Sequence, residues 1–280
     1  MIDLHLHTTV SDGRCSPAEL VARVAVAGLS SFAITDHDTV GALSEAGSIA
    51  AVLGLTLVPG IEITAVCDSR DVHVLGYWCD SDSPGLVAFL AEQRARRVER
   101  VEQISQALAR AGAPIDVRPL LDEAAARPGA AVGRPGLARA LVDAGHATSS
   151  QDAFDRLLGD GRPAYVPRSG VSPEEVFDLI HQAGGLASLA HPGVTRRDDM
   201  IERWVRGGLD ALEAFHSDHT MAEQARYLTL AAGLGIAVSG GSDFHGDDPQ
   251  AHRSRRVVGG VALPAGHWDA LRAAHRERRR

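Results

Sequence analysis

Residues able to bind a metal ion lie close together near the start of the chain and recur after later apolar segments. His5 and His7 are two positions apart in a predicted strand, so their side chains leave the same face of it. Two neighbouring imidazoles can bind one metal ion through their neutral nitrogens. His37 follows a short apolar segment at residues 31–35, and Glu62 directly follows a second apolar run. These residue types and positions predict a metal centre.

The same residue types recur later in the chain. His73 lies near the start of the next predicted strand, and His191 follows a later one. Asp243 and His245 come after the last predicted strand. The carboxyl ends of parallel barrel strands converge on one mouth, where active sites form. Unrelated surface histidines and carboxylates would not favour strand ends, so we interpret these residues as one site.

Predicted strands and helices alternate along most of the chain. A strand at residues 2–7 is followed by a helix that Ser16 and Pro17 begin, as an N-cap and a first-turn proline. Alternation of this kind predicts an α/β fold with parallel strands inside and helices outside. We expect residues 1–84 and 168–280 to form this barrel.

Residues 85–167 interrupt the alternation. They begin with a long, arginine-rich amphipathic pattern at about residues 86–111, followed by shorter helical patterns. We interpret the segment as an inserted, mostly helical subdomain. Its arginines favour a role in substrate binding, the alternative being that the insertion only extends the barrel.

Composition narrows the range of functions. The net charge of −8 argues against a broad nucleic-acid-binding surface, which depends on many contacts between basic side chains and phosphates. The chain contains no lysine, which excludes chemistry that needs a Schiff-base lysine or a P-loop lysine. Three cysteines without close spacing, and the lack of a long apolar run or a signal-peptide pattern, lead us to expect a cytoplasmic protein without a membrane partner. The oligomeric state is left open.

Six motifs resemble those of the PHP (polymerase and histidinol phosphatase) superfamily, and their order and number make the match specific. Within that superfamily, the insertion and the segment 213–220 are most similar to nucleotide phosphoesterases. Members of that group act on 3′,5′-bisphosphonucleotides, nucleoside monophosphates or the 5′ ends of short RNAs. The motifs are Asp3–Gly13, Ile34–Thr39, Pro59–Ile63, Val72–Tyr77, Ala190–Pro192 and Gly241–His245.

The resemblance implies a distorted (β/α)7 barrel with two or three divalent metal ions. Mixed nitrogen and oxygen ligands suit zinc, manganese or iron. By motif, the first ion would take His5, His7, Glu62 and Asp243, the second would take His73 and His191 with Glu62 as a bridge, and the third would take Asp12, His37 and His245.

The implied activity is hydrolysis of phosphate monoesters of nucleotides or short oligonucleotides. A phosphate monoester is anionic and repels hydroxide, so clustered cations are needed to offset its charge. Paired ions about 3.5–4 Å apart can hold the phosphoryl oxygens and activate a water as the nucleophile. No serine or cysteine nucleophile is then required, and the sequence has no nucleophile-elbow motif.

Two arginines in the insertion match positions where relatives place phosphate-binding residues. Arg134 and Arg139 lie five residues apart in the segment Gly133–Arg139, and guanidinium groups suit phosphate oxygens. Ordinary surface arginines are the alternative interpretation. Relatives usually carry histidine where this chain has Gly136, so the substrate preference here could differ.

Two further residues are candidates for roles in catalysis. His219 matches a family position that contacts the phosphate or acts as a general acid. Asp36 precedes a predicted ligand and is expected to orient a ligand histidine, as carboxylates often do. His216, three residues before His219, is assigned no role.

Three alternatives stay open. An amidohydrolase of the same barrel type often uses a carboxylated lysine as the metal bridge; this chain has none, although Glu62 could take that place. A histidinol-phosphatase-like enzyme would use the same ligands on a different small substrate. A non-enzymatic module would have lost ligands, whereas all nine predicted metal positions here hold residues able to bind a metal.

Overall fold

The computed structural model describes residues 1–126, 131–168, 170–247 and 256–279, and its strands form one seven-stranded sheet in chain order. The strands are β1 (Ile2–Asp3), β2 (Ser31–Ile34), β3 (Thr56–Cys67), β4 (Arg70–Tyr77), β5 (Leu186–Leu189), β6 (Ala211–His216) and β7 (Ala237–Gly241). The helices are α1 (Pro17–Val26), α2 (Leu43–Val52), α3 (Pro84–Arg110), α4 (Arg118–Ala126), α5 (Arg134–Asp143), α6 (Ser150–Ala153), α7 (Pro173–Gln182), α8 (Pro192–Thr195), α9 (Asp198–Arg206), α10 (Met221–Leu234) and α11 (Ala265–Arg278), with a π-helical turn at Phe154–Leu158.

The sheet curves into a nearly closed barrel because the first and last strands meet. The segment after β1 hydrogen-bonds on one side to residues after β2, where the Thr35 N–H donates to the Leu6 carbonyl at 2.9 Å. On its other side, the His7 N–H donates to the Phe244 carbonyl at 3.0 Å. The predicted (β/α)7 barrel is confirmed.

One strand departs from the predicted parallel arrangement. β4 pairs antiparallel with both β3 and β5, whereas the other neighbouring strands pair in parallel. Only Asp68 and Ser69 separate β3 from β4, and their φ angles of 48° and 64° suit a tight hairpin turn. A parallel pair would need a crossover of a dozen or more residues. The reversed direction brings the start of β4, with His73, to the barrel mouth opposite Thr64.

Aliphatic side chains fill the core between sheet and helices, as the aromatic content of 4% requires. Trp204, Tyr77 and Tyr227 are the largest fully buried members of the barrel cluster. Helix α7 begins with Ser172, whose hydroxyl accepts the Glu175 N–H while the Glu175 carboxylate accepts the Ser172 N–H. This capping box satisfies free backbone donors at the helix start and fixes the return of the chain to the barrel.

The helices between β4 and β5 have a hydrophobic cluster of their own. Leu86 and Leu90 at the start of α3 pack into the barrel cluster. From Val101 onward, the same helix packs with Leu137 and Leu158 in a separate cluster. Helix α3 therefore connects two cores, and the predicted division at residues 85–167 stays a prediction.

Among the described helices, none combines the length and apolar character needed to cross a membrane.

Candidate metal centre

The backbone around the first motif is shaped so that two histidines face the barrel mouth side by side. The rings of His5 and His7 are fully buried, with centroids 5.1 Å apart. The loop that follows folds back tightly on His7: a Cβ on Gly13 would lie 2.5 Å from the His7 carbonyl oxygen. Only glycine allows this approach, which places Asp12 beside the His7 ring.

Four side chains, from the segments after β1 and β7 and from within β3, converge on one point. His5 Nε2 lies 3.3 Å from Glu62 Oε2 and 3.4 Å from Asp243 Oδ1. His7 Nε2 lies 3.3 Å and 3.4 Å from the same two oxygens. Ligands placed tetrahedrally at 2.0–2.1 Å around an ion are themselves about 3.3–3.4 Å apart. The spacing of the predicted first ligand set therefore fits a bound metal ion.

Glu62 faces two groups of histidines with its two carboxylate oxygens. Oε2 points to His5 and His7, whereas Oε1 lies 2.9 Å from His73 Nδ1 and 3.1 Å from His191 Nε2. His37 Nδ1 also approaches Oε2, at 3.1 Å. This is the arrangement expected of a carboxylate that bridges two ions, as predicted.

The third predicted set lies on the other side of His7. Asp12 Oδ1 is 3.2 Å from His245 Nε2, and Asp12 Oδ2 is 3.7 Å from His37 Nε2. His7 Nδ1 joins this group at 3.7 Å from Asp12 Oδ1. The structure thus brings all nine predicted ligands together, and we call them the metal-ligand cluster: His5, His7, Asp12, His37, Glu62, His73, His191, Asp243 and His245.

Burial and opposite charge shift the ionisation of these groups strongly. Burial alone would raise the pKa of Glu62, but His37, His73 and His5 hold it well below its usual value. Burial opposes a charged His7 ring, yet close contacts with Asp243 and Glu62 raise the pKa of His7 to about 10. Burial lowers the pKa of His37 to about 3 despite the nearby Glu62. Nearby positive charge, from protonated histidines or bound cations, therefore stabilises the ionised carboxylates at the centre of the cluster.

The donor set fits a divalent transition ion. Buried ring nitrogens of His7, His37, His73 and His191 lack a hydrogen-bond partner among the described residues. Buried polar atoms are rarely left unpaired unless an ion or water binds them. Imidazole nitrogens with carboxylate oxygens, and no thiolate, suit zinc, manganese or iron.

Glu213 is a site residue that the sequence analysis did not predict. From the middle of β6, its carboxylate contacts His5 Nδ1 at 2.9 Å and accepts the His191 N–H at 2.7 Å. A carboxylate behind a ligand histidine fixes the tautomer and the orientation of the ring. The signal was an acidic residue in a fully buried strand that is otherwise apolar up to His216 at its end.

Asp36 contacts the first motif rather than a histidine ring. Its carboxylate accepts hydrogen bonds from the Thr8 N–H, the Thr8 hydroxyl and the Ser11 hydroxyl at 2.6–2.7 Å. It therefore fixes the loop that carries Asp12. The orienting role expected of Asp36 falls to Glu213, and a direct catalytic role for Asp36 stays a prediction.

The buried His219 ring has partners on both nitrogens. The Gly193 N–H donates to Nε2 at 3.1 Å, so the ring proton lies on Nδ1, which donates to the Ala214 carbonyl at 2.9 Å. Burial lowers the pKa of His219, which favours this neutral form. Neither nitrogen offers a proton to a leaving group, and this geometry opposes the predicted acid role.

The two predicted arginines line different cavities. Arg134 lies in an open cavity of ≈ 540 Å³ that it shares with Asp12, His37 and His73. Arg139 lines a neighbouring cavity, and its closest described contact is with the Asp12 carbonyl at 3.4 Å. Of the two predicted arginines, Arg134 is therefore the one that shares a cavity with side chains of the metal-ligand cluster.

Two arginines that the sequence analysis did not single out share the cavity of Arg134. Arg97 donates from Nε to Asp38 at 2.6 Å, and Arg168 Nε lies 3.4 Å from Asp71. We call Arg97, Arg134 and Arg168, with Asp38 and Asp71, the arginine cluster. Although burial opposes it, Arg97 and Arg168 hold the pKa of Asp38 below its usual value.

Gly136, where relatives usually carry histidine, is packed against the insertion. A Cβ at this position would lie 2.9 Å from Leu120 Cδ1. Leu120, from α4, therefore occupies the space that a larger side chain would need. Glycine in place of the histidine of relatives therefore allows α4 to pack closely on α5 at this position.

The motifs agree with comparisons to known proteins. The PHP domain model matches residues 3–126. The chain is 36% identical over 276 residues to the 5′-3′ exoribonuclease Rnm of Escherichia coli, covering 94% of this chain and 90% of the relative. It is 34% identical over 255 residues to the 3′,5′-nucleoside bisphosphate phosphatase of Chromobacterium violaceum, covering 87% of each.

Two solved structures share the fold over nearly the whole chain. One is described as a metal-dependent phosphoesterase from Bifidobacterium adolescentis, with a TM-score of 0.87 and 31% identity over 98% of this chain and 96% of that one. The other is described as an amidohydrolase from Chromobacterium violaceum with bound sulfate, with a TM-score of 0.84 and 30% identity over the same shares. With these motifs, this cluster and relatives matched along nearly their full length, the chain belongs to the PHP domain family.

Proposed function

We propose that the chain is a metal-dependent phosphoesterase that hydrolyses phosphate monoesters of nucleotides or short oligonucleotides. The observation that carries the proposal is the cavity in which metal-ligand side chains and arginines face the same space. Its wall holds Asp12, His37 and His73 from the metal-ligand cluster, and Arg134 and Arg168 from the arginine cluster. A substrate in this cavity would face metal ions held by the metal-ligand cluster on one side and guanidinium groups on the other.

The metal-ligand cluster would hold two or three ions of zinc, manganese or iron in the sets given above. Bound ions would offset the charge of phosphate oxygens and lower the pKa of a coordinated water. The chain contributes the geometry. Glu62 would bind with both oxygens, and Glu213 holds the His5 ring in place. At three polar residues near the centre the backbone adopts positive φ: Asp38 (52°), His191 (29°) and Asp243 (52°). Strained backbone of this kind often occurs at functional sites.

Arg134 is the residue best placed to bind a second phosphate of the substrate. Asp71 contacts its Nη2 at 3.2 Å, and the rings of Phe154 and Tyr165 lie about 6 Å from its guanidinium carbon. Its Nη1 also donates to the Leu158 carbonyl and to Asp160 Oδ1, both at 3.5 Å. These contacts fix the side chain and use only part of its five N–H donors. Arg134 belongs to the inserted segment, which we propose to be the substrate-recognition part of the molecule.

The names of the relatives support this substrate class. One is an exoribonuclease and another a nucleoside bisphosphate phosphatase, both acting on nucleotide material. One structural neighbour is described as an amidohydrolase, which is the alternative function for a barrel of this type. Three arginines in the cavity favour an anionic ester over a neutral amide.

The proposal is tested by phosphate release from a 3′,5′-bisphosphonucleotide, AMP, histidinol phosphate and a short 5′-phosphorylated RNA. We expect EDTA to abolish release and a divalent transition ion to restore it. Arg134→Ala should lower kcat/KM for the bisphosphonucleotide about 10- to 100-fold, since a charge-assisted hydrogen bond contributes about 1.5–3 kcal/mol. The matched control is Arg110→Ala, at an exposed arginine on α3. Equal cleavage of the bisphosphonucleotide by Arg134→Ala and the parent would refute the recognition role.

A further inference from the structure

His216 and Arg256 both face the same oxygen of a predicted metal ligand. Asp243 Oδ1 lies 3.4 Å from His5 Nε2 and 3.4 Å from His7 Nε2. Its other oxygen, Oδ2, lies 3.4 Å from His216 Nε2 and 3.2 Å from Arg256 Nη2. The two oxygens of one carboxylate therefore have different neighbours: ligand histidines on one side, and a second histidine and an arginine on the other.

Proximity alone would make His216 a candidate ligand, because one nitrogen of its ring, His5 and Asp243 come within the reach of a single ion. The hydrogen bond on its other nitrogen argues otherwise. The Asp218 N–H donates to His216 Nδ1 at 3.1 Å, so Nδ1 carries no proton. A neutral imidazole that accepts at Nδ1 carries its proton on Nε2. That nitrogen is fully buried and lies 3.4 Å from Asp243 Oδ2, without a hydrogen bond among the described residues, and once protonated it has no lone pair for a metal.

Arg256 completes the arrangement from the opposite direction. Its Nη2 contacts Asp218 Oδ2 at 2.7 Å as well as Asp243 Oδ2 at 3.2 Å. Asp218 thus uses its backbone N–H to set the tautomer of His216 and its carboxylate to hold Arg256. One residue fixes both donors that face Asp243.

We propose that His216 and Arg256 are positioning residues that occupy Asp243 Oδ2 and leave Oδ1 as the oxygen available to a metal ion. Asp243 would then bind through one oxygen, which suits the 3.3–3.4 Å spacing of the first ligand set. Partners behind a metal ligand typically change metal affinity 10- to 100-fold when they are removed. The inference rests on the metal centre of the proposed function and is independent of the substrate.

The first test reads the tautomer of His216 in the unmutated protein. Long-range ¹H–¹⁵N correlation spectra distinguish an imidazole protonated on Nε2 from one protonated on Nδ1. We expect His216 to carry its ring proton on Nε2 both without metal and after saturation with Zn²⁺. Zn²⁺ is used in place of Mn²⁺ because it is diamagnetic. A His216 ring that loses its Nε2 proton when Zn²⁺ binds would be a ligand, and this would overturn the proposal.

The second test measures Zn²⁺ stoichiometry and affinity by calorimetry. Arg256→Met and His216→Leu should each keep the parental number of bound ions at saturation and weaken binding about 10- to 100-fold. Arg256→Lys should recover most of the affinity, since one ammonium group can reach both carboxylates. His216→Gln, which retains an N–H donor, covers the case in which the leucine variant does not fold. Arg276→Met, at an exposed position of α11, is the matched control.

The outcomes separate this inference from the proposed function. Parental affinity in Arg256→Met, or one ion fewer in the His216 variants, would overturn the inference and leave the phosphoesterase proposal intact. A parent protein that binds no divalent ion would overturn both.

Discussion

The metal-ligand cluster and the arginine cluster bury charge in two different ways. In the arginine cluster, fixed charges are paired directly: Arg97 donates to the fully buried Asp38, and Arg134 and Arg168 contact Asp71. In the metal-ligand cluster, ionised carboxylates face histidines whose charge depends on protonation, and several ring nitrogens lack partners among the described residues. The first cluster pairs its charges directly, with three guanidinium groups for two carboxylates, whereas the second is built to receive ions.

This difference indicates what each cluster contributes. A paired buried carboxylate and guanidinium stay in place regardless of metal, so the arginine cluster can hold the cavity wall rigid. Ligand histidines must release protons when ions bind, so the metal-ligand cluster couples metal binding to pH. Removing a residue from one cluster should therefore change metal content, and removing a residue from the other should change stability or substrate preference.

The largest effect is expected from Glu62→Gln. Both oxygens of Glu62 face ligand histidines, and glutamine keeps the shape but removes the charge. If metal ions supply several kcal/mol of transition-state stabilisation, turnover should fall by about three orders of magnitude or more. Metal analysis of the purified variant should show fewer ions than the parent.

Glu202→Gln is the matched control, because Glu202 is exposed on α9 and contacts only Arg206 in the described structure. A Glu62→Gln enzyme with parental metal content and parental turnover would remove the distinction between the two clusters.

An intermediate effect, on stability, is expected from Asp38→Asn. Asparagine tolerates the left-handed backbone at this position, where φ is 52°, but it leaves Arg97 buried without its partner charge. Breaking a buried ion pair typically costs about 3–5 kcal/mol. Urea unfolding of metal-free protein at pH 7 measures this loss, and Glu92→Gln, in an exposed pair with Arg96, should give a much smaller change.

The pH dependence gives the sign of the same effect. Arg97 and Arg168, overcoming burial, lower the pKa of folded Asp38, so ionised Asp38 contributes stability above the unfolded pKa of about 4. That contribution is lost as pH falls through the lower folded-state pKa. The gap in unfolding free energy between parent and Asp38→Asn should be constant from pH 6 to 8 and shrink below pH 4. A constant gap down to pH 3 would show that the pair is not ionic.

The metal-ligand cluster could be predicted almost completely because its residues lie in short motifs at strand ends. His5 and His7 both follow β1 and are fully buried, and parallel strand ends meet at one mouth whatever the details of packing. Glu213 was missed because it lies within a buried strand and, unlike Glu62, belongs to none of the six motifs. The reversal of β4 was missed because the alternation of strands and helices predicted parallel strands, whereas only the two residues Asp68 and Ser69 separate β3 from β4.

The arginine cluster was less accessible to prediction. The chain has 28 arginines and no lysine, so residue type alone does not single out any one of these basic residues. Arg97 lies on the long helix α3 and contacts Asp38, 59 positions earlier in the chain. Which face of that helix meets the barrel depends on how two hydrophobic cores divide it, and this is a property of the packed molecule.

The smallest effect is expected from Arg139→Ala, and it sharpens the comparison because Arg139 was predicted alongside Arg134. Arg139 lies on the same helix, but it lines the neighbouring cavity and its closest described contact is the Asp12 backbone carbonyl. A substitution outside the substrate cavity typically changes free energies by no more than about 0.5 kcal/mol, which is about a twofold change in rate. We therefore expect kcat/KM to fall about twofold or less, and equally for a bisphosphonucleotide and for p-nitrophenyl phosphate. Arg134→Ala, measured in parallel, should affect the bisphosphonucleotide far more than the aryl ester. A tenfold loss in Arg139→Ala confined to the bisphosphonucleotide would mean that substrate spans both cavities, and the boundary of the arginine cluster would have to be redrawn to include this residue.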